Sequence, residues 1–264
     1  MRKHVVFCSL QNSGLSAIHP IIYKILFRSG WGILYNGKET QKFTDDYKYS
    51  RFDYPMYHFS HDKIDPYYSL IDKDDVVFIY NHRDPRDAVV SQTFFTQNRL
   101  GLFTDLSFYD VLYSLAINAQ PELLESATKW IKTKNCLVIN FEQIKENTTL
   151  VIYSILNHIS YFELPKNEIL NKNEIDDIVC EYSFENQTNR KRGSLNKHEK
   201  DYSNIHAQKK YNSLNKGMWR NGISGEWKLY FDQKLFDKYH EINGDSLLKM
   251  GYTIPSKFYE KMKT

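Results

Sequence analysis

The chain has 264 residues, 41% of them hydrophobic and 25% charged, with a formal net charge of +3. A chain of that length buries roughly 70–75% of its unfolded surface, so one core holds without staples, and the small positive balance argues for no nucleic-acid partner while suiting an anionic small ligand. No apolar run approaches the roughly 20 residues of a membrane span, and the first residues enter a strand without a signal-peptide pattern; a cytoplasmic protein with no membrane partner is expected.

Residues 3–10 (KHVVFCSL) read as a first strand, apolar throughout and therefore central in a parallel sheet. Gln11-Asn12-Ser13-Gly14-Leu15-Ser16 turns the chain, and Ile18, Ile21, Ile22 and Ile25 then mark one face of a helix. The turn is either an ordinary strand–helix connection or an anion site made of backbone N–H groups at the helix N-terminus. Pro20 predicts a kink or a later helix start, because its ring clashes with the carbonyl of Ser16. Residues 40–70, polar and rich in tyrosine, read as an irregular excursion. His58 and His61 stand three apart there, but a metal needs further ligands and none is near. No metal site is expected; the alternatives are a surface histidine or a general base, since an imidazole titrates near neutrality.

Val76–Tyr80 reads as a buried strand, and Pro85 and Asp87 suit the first turn of a helix. Arg83 then stands at a strand end and Ser91 about two turns into the helix, where an open sheet binds its ligands. An arginine fork and a hydroxyl there suit a phosphate; arginines on a solvated surface are the alternative. Further helices are marked by Phe108, Val111, Leu112 and Leu115 and by Ile152, Ile155, Leu156 and Ile159, with a strand at 136–141 between them. The cysteines number three, Cys8 and Cys136 within expected strands, and read as buried reduced thiols. From Arg190 to Lys216 eight basic residues face two acids, a solvated loop or a mobile basic lid over an anion. Strands and helices alternate, giving one α/β domain over 1–264 with a central, mostly parallel sheet flanked by helices.

Five segments in order resemble the PAPS-dependent sulfotransferase family. Arg83-Asp84-Pro85-Arg86-Asp87-Ala88-Val89-Val90-Ser91 resembles R-[DN]-P-x-D-x-x-x-S, and Ser60-His61 resembles the [ST]-H element upstream of it. Phe141-Glu142-Gln143-Ile144 is similar to Y-E-D-L, and Tyr182-Ser183-Phe184-Glu185-Asn186 to T-S-F-x-x-M. Arg220-Asn221-Gly222-Ile223-Ser224-Gly225-Glu226-Trp227-Lys228 resembles R-K-G-x-x-G-D-W-K. The resemblance implies a P-loop NTPase-like sulfotransferase fold, PAPS as donor and PAP as product. It implies that Arg83, Ser91, Arg220, Asn221 and Gly222 hold the 3′-phosphate, with Ser183 and Phe184 near the adenine and Phe141 beside the nucleotide. Gln11 to Ser16 would cradle the 5′-phosphate, and His61 would be the general base.

The turn after the first strand departs from the family's P-K-S-G-T-[ST]-W. Its lysine is Asn12 here, its tryptophan is Ala17, and the lysine that often precedes [ST]-H is Phe59. Asn12 still donates a hydrogen bond but brings no charge to the leaving group. The resemblance therefore implies transfer of a sulfuryl group to a hydroxyl or amine of a small-molecule acceptor, with a homodimer possible. A weakened protein that only binds PAP or PAPS is the alternative; a nucleotide kinase is a weaker one, for want of the phosphate-loop lysine and a Mg²⁺ carboxylate. Tyr47, Tyr49, Tyr54 and Tyr57 are available to line an aromatic acceptor site or to pack a loop.

Overall fold

The structure, a computed structural model, describes residues 4–31, 33–35, 40–48, 56–61, 63–188, 191–193 and 221–255. Five strands form one sheet in which every neighbouring pair is parallel: β1 (His4–Ser9), β2 (Ile33–Tyr35), β3 (Met56–Ser60), β4 (Val76–His82) and β5 (Cys136–Asn140), in the order β2-β3-β1-β4-β5. From β1 the chain departs toward β2 on one side, and from β4 toward β5 on the other. The carboxyl ends of the adjacent β1 and β4 thus flank a reversal of strand order, the place where open sheets bind ligands.

The described residues fall into two compact units. The first, residues 1–82 and 129–183, holds the sheet. On one face α1 (Leu15–Arg28), α7 (Thr148–His158) and α8 (Lys172–Glu181) bury Ile18, Ile22, Ile25, Ile152, Ile155, Ile175 and Ile178 against Phe7 and Ile79. On the other, Trp130 stacks on Tyr80 with 5.8 Å between ring centroids and meets Phe78 and Tyr67. With both faces covered, all seven residues of β4 are buried, which is why its first five, Val76 to Tyr80, read as one apolar run.

The second unit, residues 83–128 and 184–264, is helical among its described residues. Its core joins Val89, Val90 and Phe94 of α3 (Pro85–Phe94) to Leu112 of α4 (Phe108–Ser114), to Trp227 and Phe231, and to Leu235, Phe236, Tyr239 and Leu247 of α10 (Gln233–Lys249). The helix marked by Phe108 continues through a π-helical turn at Leu115–Ala119 into α5 (Gln120–Ile131).

Three expectations are corrected. Helix α1 starts at Leu15 and runs through Pro20 to Arg28, not later. Pro20 is its sixth residue, so the missing N–H affects only the Ser16 carbonyl in the first turn. Residues 40–70 are not an irregular excursion: they contain α2 (Thr40–Lys48), β3 and a 3₁₀ turn at Asp65–Leu70. The polar letters of β3 concealed it, because His58 and Ser60 find their partners inside the protein, both on the hydroxyl of Tyr67. Of the tyrosines in that stretch, Tyr57 is buried beside His19 and Tyr47 bonds Asp75, the packing reading; Tyr49 and Tyr54 lie outside the described residues. The three cysteines are free thiols, but only Cys8 is buried; Cys180 is exposed.

Candidate active site

The turn between β1 and α1 is tied down by one residue of β4. The Asn81 carbonyl accepts from Leu10 N–H (2.9 Å) and the Ser13 hydroxyl (3.2 Å), and Asn81 Nδ2 donates to the Ser13 carbonyl (3.0 Å). Asn12 and Gly14 take left-handed φ of 60° and 90°. Gly14 is the N-cap of α1, so no side chain caps the helix, and the first turn carries no acid. Its N–H groups and the partial positive charge of the helix end therefore suit an anion. A Cβ on Gly14 would stand 2.6 Å from Cδ2 of Phe141, the first residue of α6 (Phe141–Glu146), so the Phe141 ring lies on the turn. The structure thus brings Gln11–Ser16 and Phe141 together. Ser13 does not offer its hydroxyl to a ligand: it is fully buried and donates to the Leu10 carbonyl at 2.5 Å. The hydroxyl in the helix first turn is that of Ser16, half-buried.

The β1–β3 register pairs Cys8 with Ser60, which sets His61 beside Ser9. His61 is exposed, and its Nδ1 lies 2.8 Å from the Ser9 hydroxyl and 3.3 Å from the Ser9 carbonyl. His58 is a core residue, fully buried, with Nε2 2.8 Å from Tyr67 Oη and 3.2 Å from Thr40 Oγ1. No group of three metal-ligating side chains occurs among the described residues. Phe59, at the place of a family lysine, stacks on His19 with centroids 3.6 Å apart. Burial pushes the His19 pKa down to about 3, so its neutral ring does not restore the missing charge.

In the second unit Asp84 caps α3, accepting from Arg86 N–H, with Pro85 as the first helical residue. Arg83 donates from Nη2 to the Ile223 carbonyl (2.5 Å) and stands 4.0 Å from Asp87 Oδ2. Asp87 accepts from the N–H groups of Gly225 (2.6 Å) and Trp227 (2.8 Å). Burial raises its pKa to about 6, against the lowering by Arg83 and the two amides. Asn221 is buried on Glu226 (3.0 Å) and its carbonyl accepts from Gly193 N–H. Gly222, at φ 66°, places its Cα against the ring of Phe184, the first residue of α9 (Phe184–Thr188), and the Arg192 guanidinium lies 5.7 Å from that ring.

Arg83, Asn221, Gly222 and Phe184 are accordingly held in segments that pack on one another within this unit. Ser91 lies farther along α3, half-buried, and Ser183 closes α8 in the first unit, its N–H on the Cys180 carbonyl. Arg220 lies outside the described residues, as does the expected lid apart from residues 191–193. Sequence reasoning missed Ser9 and Asn81, whose roles come from strand register. It also read Asp87 as a first-turn acid and a motif position but not as a partner of Arg83, when its place four residues after Arg83 was the available signal for a pair.

A model of the sulfotransferase domain family matches residues 2–263. The chain belongs to that family. No curated protein matches it. Among solved structures, mouse sulfotransferase SULT7A1 complexed with PAP is 17% identical, covering 95% of this chain and 89% of its own, with a TM-score of 0.65. Retinol dehydratase in a complex with retinol and PAP is 15% identical over 94% of this chain and 82% of its own, with a TM-score of 0.59. The same protein with androsterone and PAP gives 16% identity and a TM-score of 0.57, over 98% of this chain and 83% of its own. At these identities the likeness is one of fold, and the sulfotransferase fold of the chain rests on it together with the family match.

Proposed function

We propose that this sulfotransferase-family chain transfers a sulfuryl group from PAPS to a hydroxyl or amine of a small-molecule acceptor, in the cytoplasm. The observation that carries the reading is the juxtaposition at the end of β1: an uncapped, acid-free helix N-terminus, with His61 held by Ser9 two residues before that turn begins. The residues fit the donor's charge. Gly14, lacking a Cβ, lets the Phe141 ring lie on the turn, and the helix it begins carries no side-chain cap and no first-turn acid to compete with an anion for its amides.

PAPS, when bound, supplies the sulfuryl group and a phosphate as its leaving group. The first-turn amides of α1 and the Ser16 hydroxyl hold the 5′ end and the charge that develops there. Arg83, Ser91, Asn221, Gly222 and Arg220 hold the 3′-phosphate, remote from the reacting centre, and so serve alignment. Phe141, Phe184 and Ser183 position the nucleoside. His61 removes the acceptor proton at Nε2. Asn12 sustains a second reading, a protein that binds PAP without efficient transfer, because no cation stands at that position.

Incubation with labelled PAPS and a broad acceptor panel, alongside His61→Ala, tests the two. Acceptor-dependent PAP release that the substitution abolishes establishes the enzyme. Calorimetric binding of PAP without release establishes the binder, and absence of PAP binding overturns both.

A further inference from the structure

We infer that Ser9 is the positioning residue of His61, fixing its tautomer so that the lone pair sits on Nε2; the inference rests on the sulfotransferase reading above. A main-chain carbonyl only accepts, and that of Ser9 lies 3.3 Å from Nδ1. A lone pair on Nδ1 would face it in repulsion, so Nδ1 carries the hydrogen and shares it between the carbonyl and the hydroxyl at 2.8 Å. A neutral imidazole with one N–H then has its basic site on Nε2.

The hydroxyl is held as rigidly as the sheet itself. Ser9 is the last residue of β1, 2% exposed, paired with Asn81 of β4 on one side and next in register to His61 on the other. When the acceptor's O–H or N–H bond breaks, its electron pair goes to sulfur and its proton to Nε2. The sulfur–oxygen bond to the donor breaks with its pair leaving on the 5′-phosphate. The imidazolium that results keeps Nδ1–H on the same two oxygens, whose partial negative charge favours it. Ser9 also leads directly through Leu10 into the turn at Asn12, so base and phosphate cradle take their relative placement from one short run of backbone.

Ring ¹⁵N–¹H correlation spectra of the full chain at pH 8, with the His61 signals assigned by their loss in His61→Gln, read the tautomer without turnover. The wild type is expected to hold Nδ1–H, Ser9→Ala to give a mixture, and Ser9→Thr to restore the wild-type state. In the transfer assay Ser9→Ala should lower kcat by about tenfold to a hundredfold, the worth of one hydrogen bond to a charged group, with PAP affinity and KM unchanged and with rescue by Ser9→Thr. An Nε2–H tautomer in the wild type, or Ser9→Ala leaving tautomer and kcat unmoved, overturns the assignment. Wild-type protein that holds Nδ1–H yet neither binds PAP nor transfers overturns the sulfotransferase reading while the tautomer assignment stands.

Discussion

Asn12 is where this chain departs most from the family it belongs to, and its backbone sets a cost on a reversal. A lysine there would bring a charge-assisted hydrogen bond worth about 1.5–3 kcal/mol. The φ of 60° sets a cost against it, since a left-handed conformation costs an ordinary L-residue about 1–2 kcal/mol and asparagine less. Asn12→Lys is therefore expected to raise PAPS turnover by about tenfold to a hundredfold, 1.4 kcal/mol being one decade, while the strained backbone lowers the stability of the fold and not the rate. PAP affinity should rise less than kcat, because the charge it meets grows in the transition state. A lower kcat with intact PAP binding would show that this turn does not face the leaving group. Gly14 is more constrained, with φ 90° and the Phe141 ring 2.6 Å from where a Cβ would go. Gly14→Ala should lose about 1–3 kcal/mol of stability from backbone strain alone and at least tenfold in PAP affinity, by denaturant unfolding and calorimetry. Much of this was legible: Ser-Gly between a strand and a helix reads as a cradle. That the Ser13 hydroxyl turns inward was not, because its partner is a carbonyl 68 residues away, on Asn81.

At the scale of elements, one buried carboxylate joins the start of α3 to the Ile223–Trp227 segment. Asp87 offers an oxygen to each of two amides, while an asparagine would offer one oxygen and turn an NH₂ toward the other donor. Leaving a buried amide unmatched costs about 1–3 kcal/mol. Asp87→Asn should thus lower Tm by about 2–12 °C, at roughly 2–4 °C per kcal/mol for a chain of this size, as circular dichroism would record. An unchanged Tm would mean that these contacts do not hold the two segments together. Strands β1, β4 and β5 were legible because both faces are covered and their sequences are apolar. β3 was not, since His58 and Ser60 take their hydrogen bonds from Tyr67 across a turn that no periodicity announces. The two motifs around Arg83 and Gly222 read as separate matches, and only folding shows Arg83 on the Ile223 carbonyl.

For the molecule as a whole, half-buried histidines make stability depend on pH. His19 lies against Phe59 and Tyr57, and burial lowers its pKa from 6.5 to about 3. His240 is lowered too, chiefly by burial, with Arg86 adding to the effect and the Phe236 carbonyl opposing it. Its neutral form fits both neighbours, Nδ1 donating to that carbonyl and Nε2 accepting from Arg86. In each case the unfolded chain takes up a proton below about pH 6.5 that the folded chain refuses, so stability is lost as pH falls through that range. Asp87 acts in the opposite sense: its raised pKa lets the folded state hold a proton more tightly between 3.8 and about 6, and that contribution is lost as pH rises. The opposing slopes make the wild-type curve alone indecisive, and a difference between variants separates them. His19→Gln removes one proton from the balance. Its urea-derived unfolding free energy between about pH 6.5 and 3 should fall less steeply with acid than the wild type's, by up to about 1.4 kcal/mol per pH unit. Above pH 7 the two curves should run parallel. Parallel curves through the acid range as well would mean that the folded protein protonates His19 as readily as the unfolded chain does, and that the stack on Phe59 is open to water.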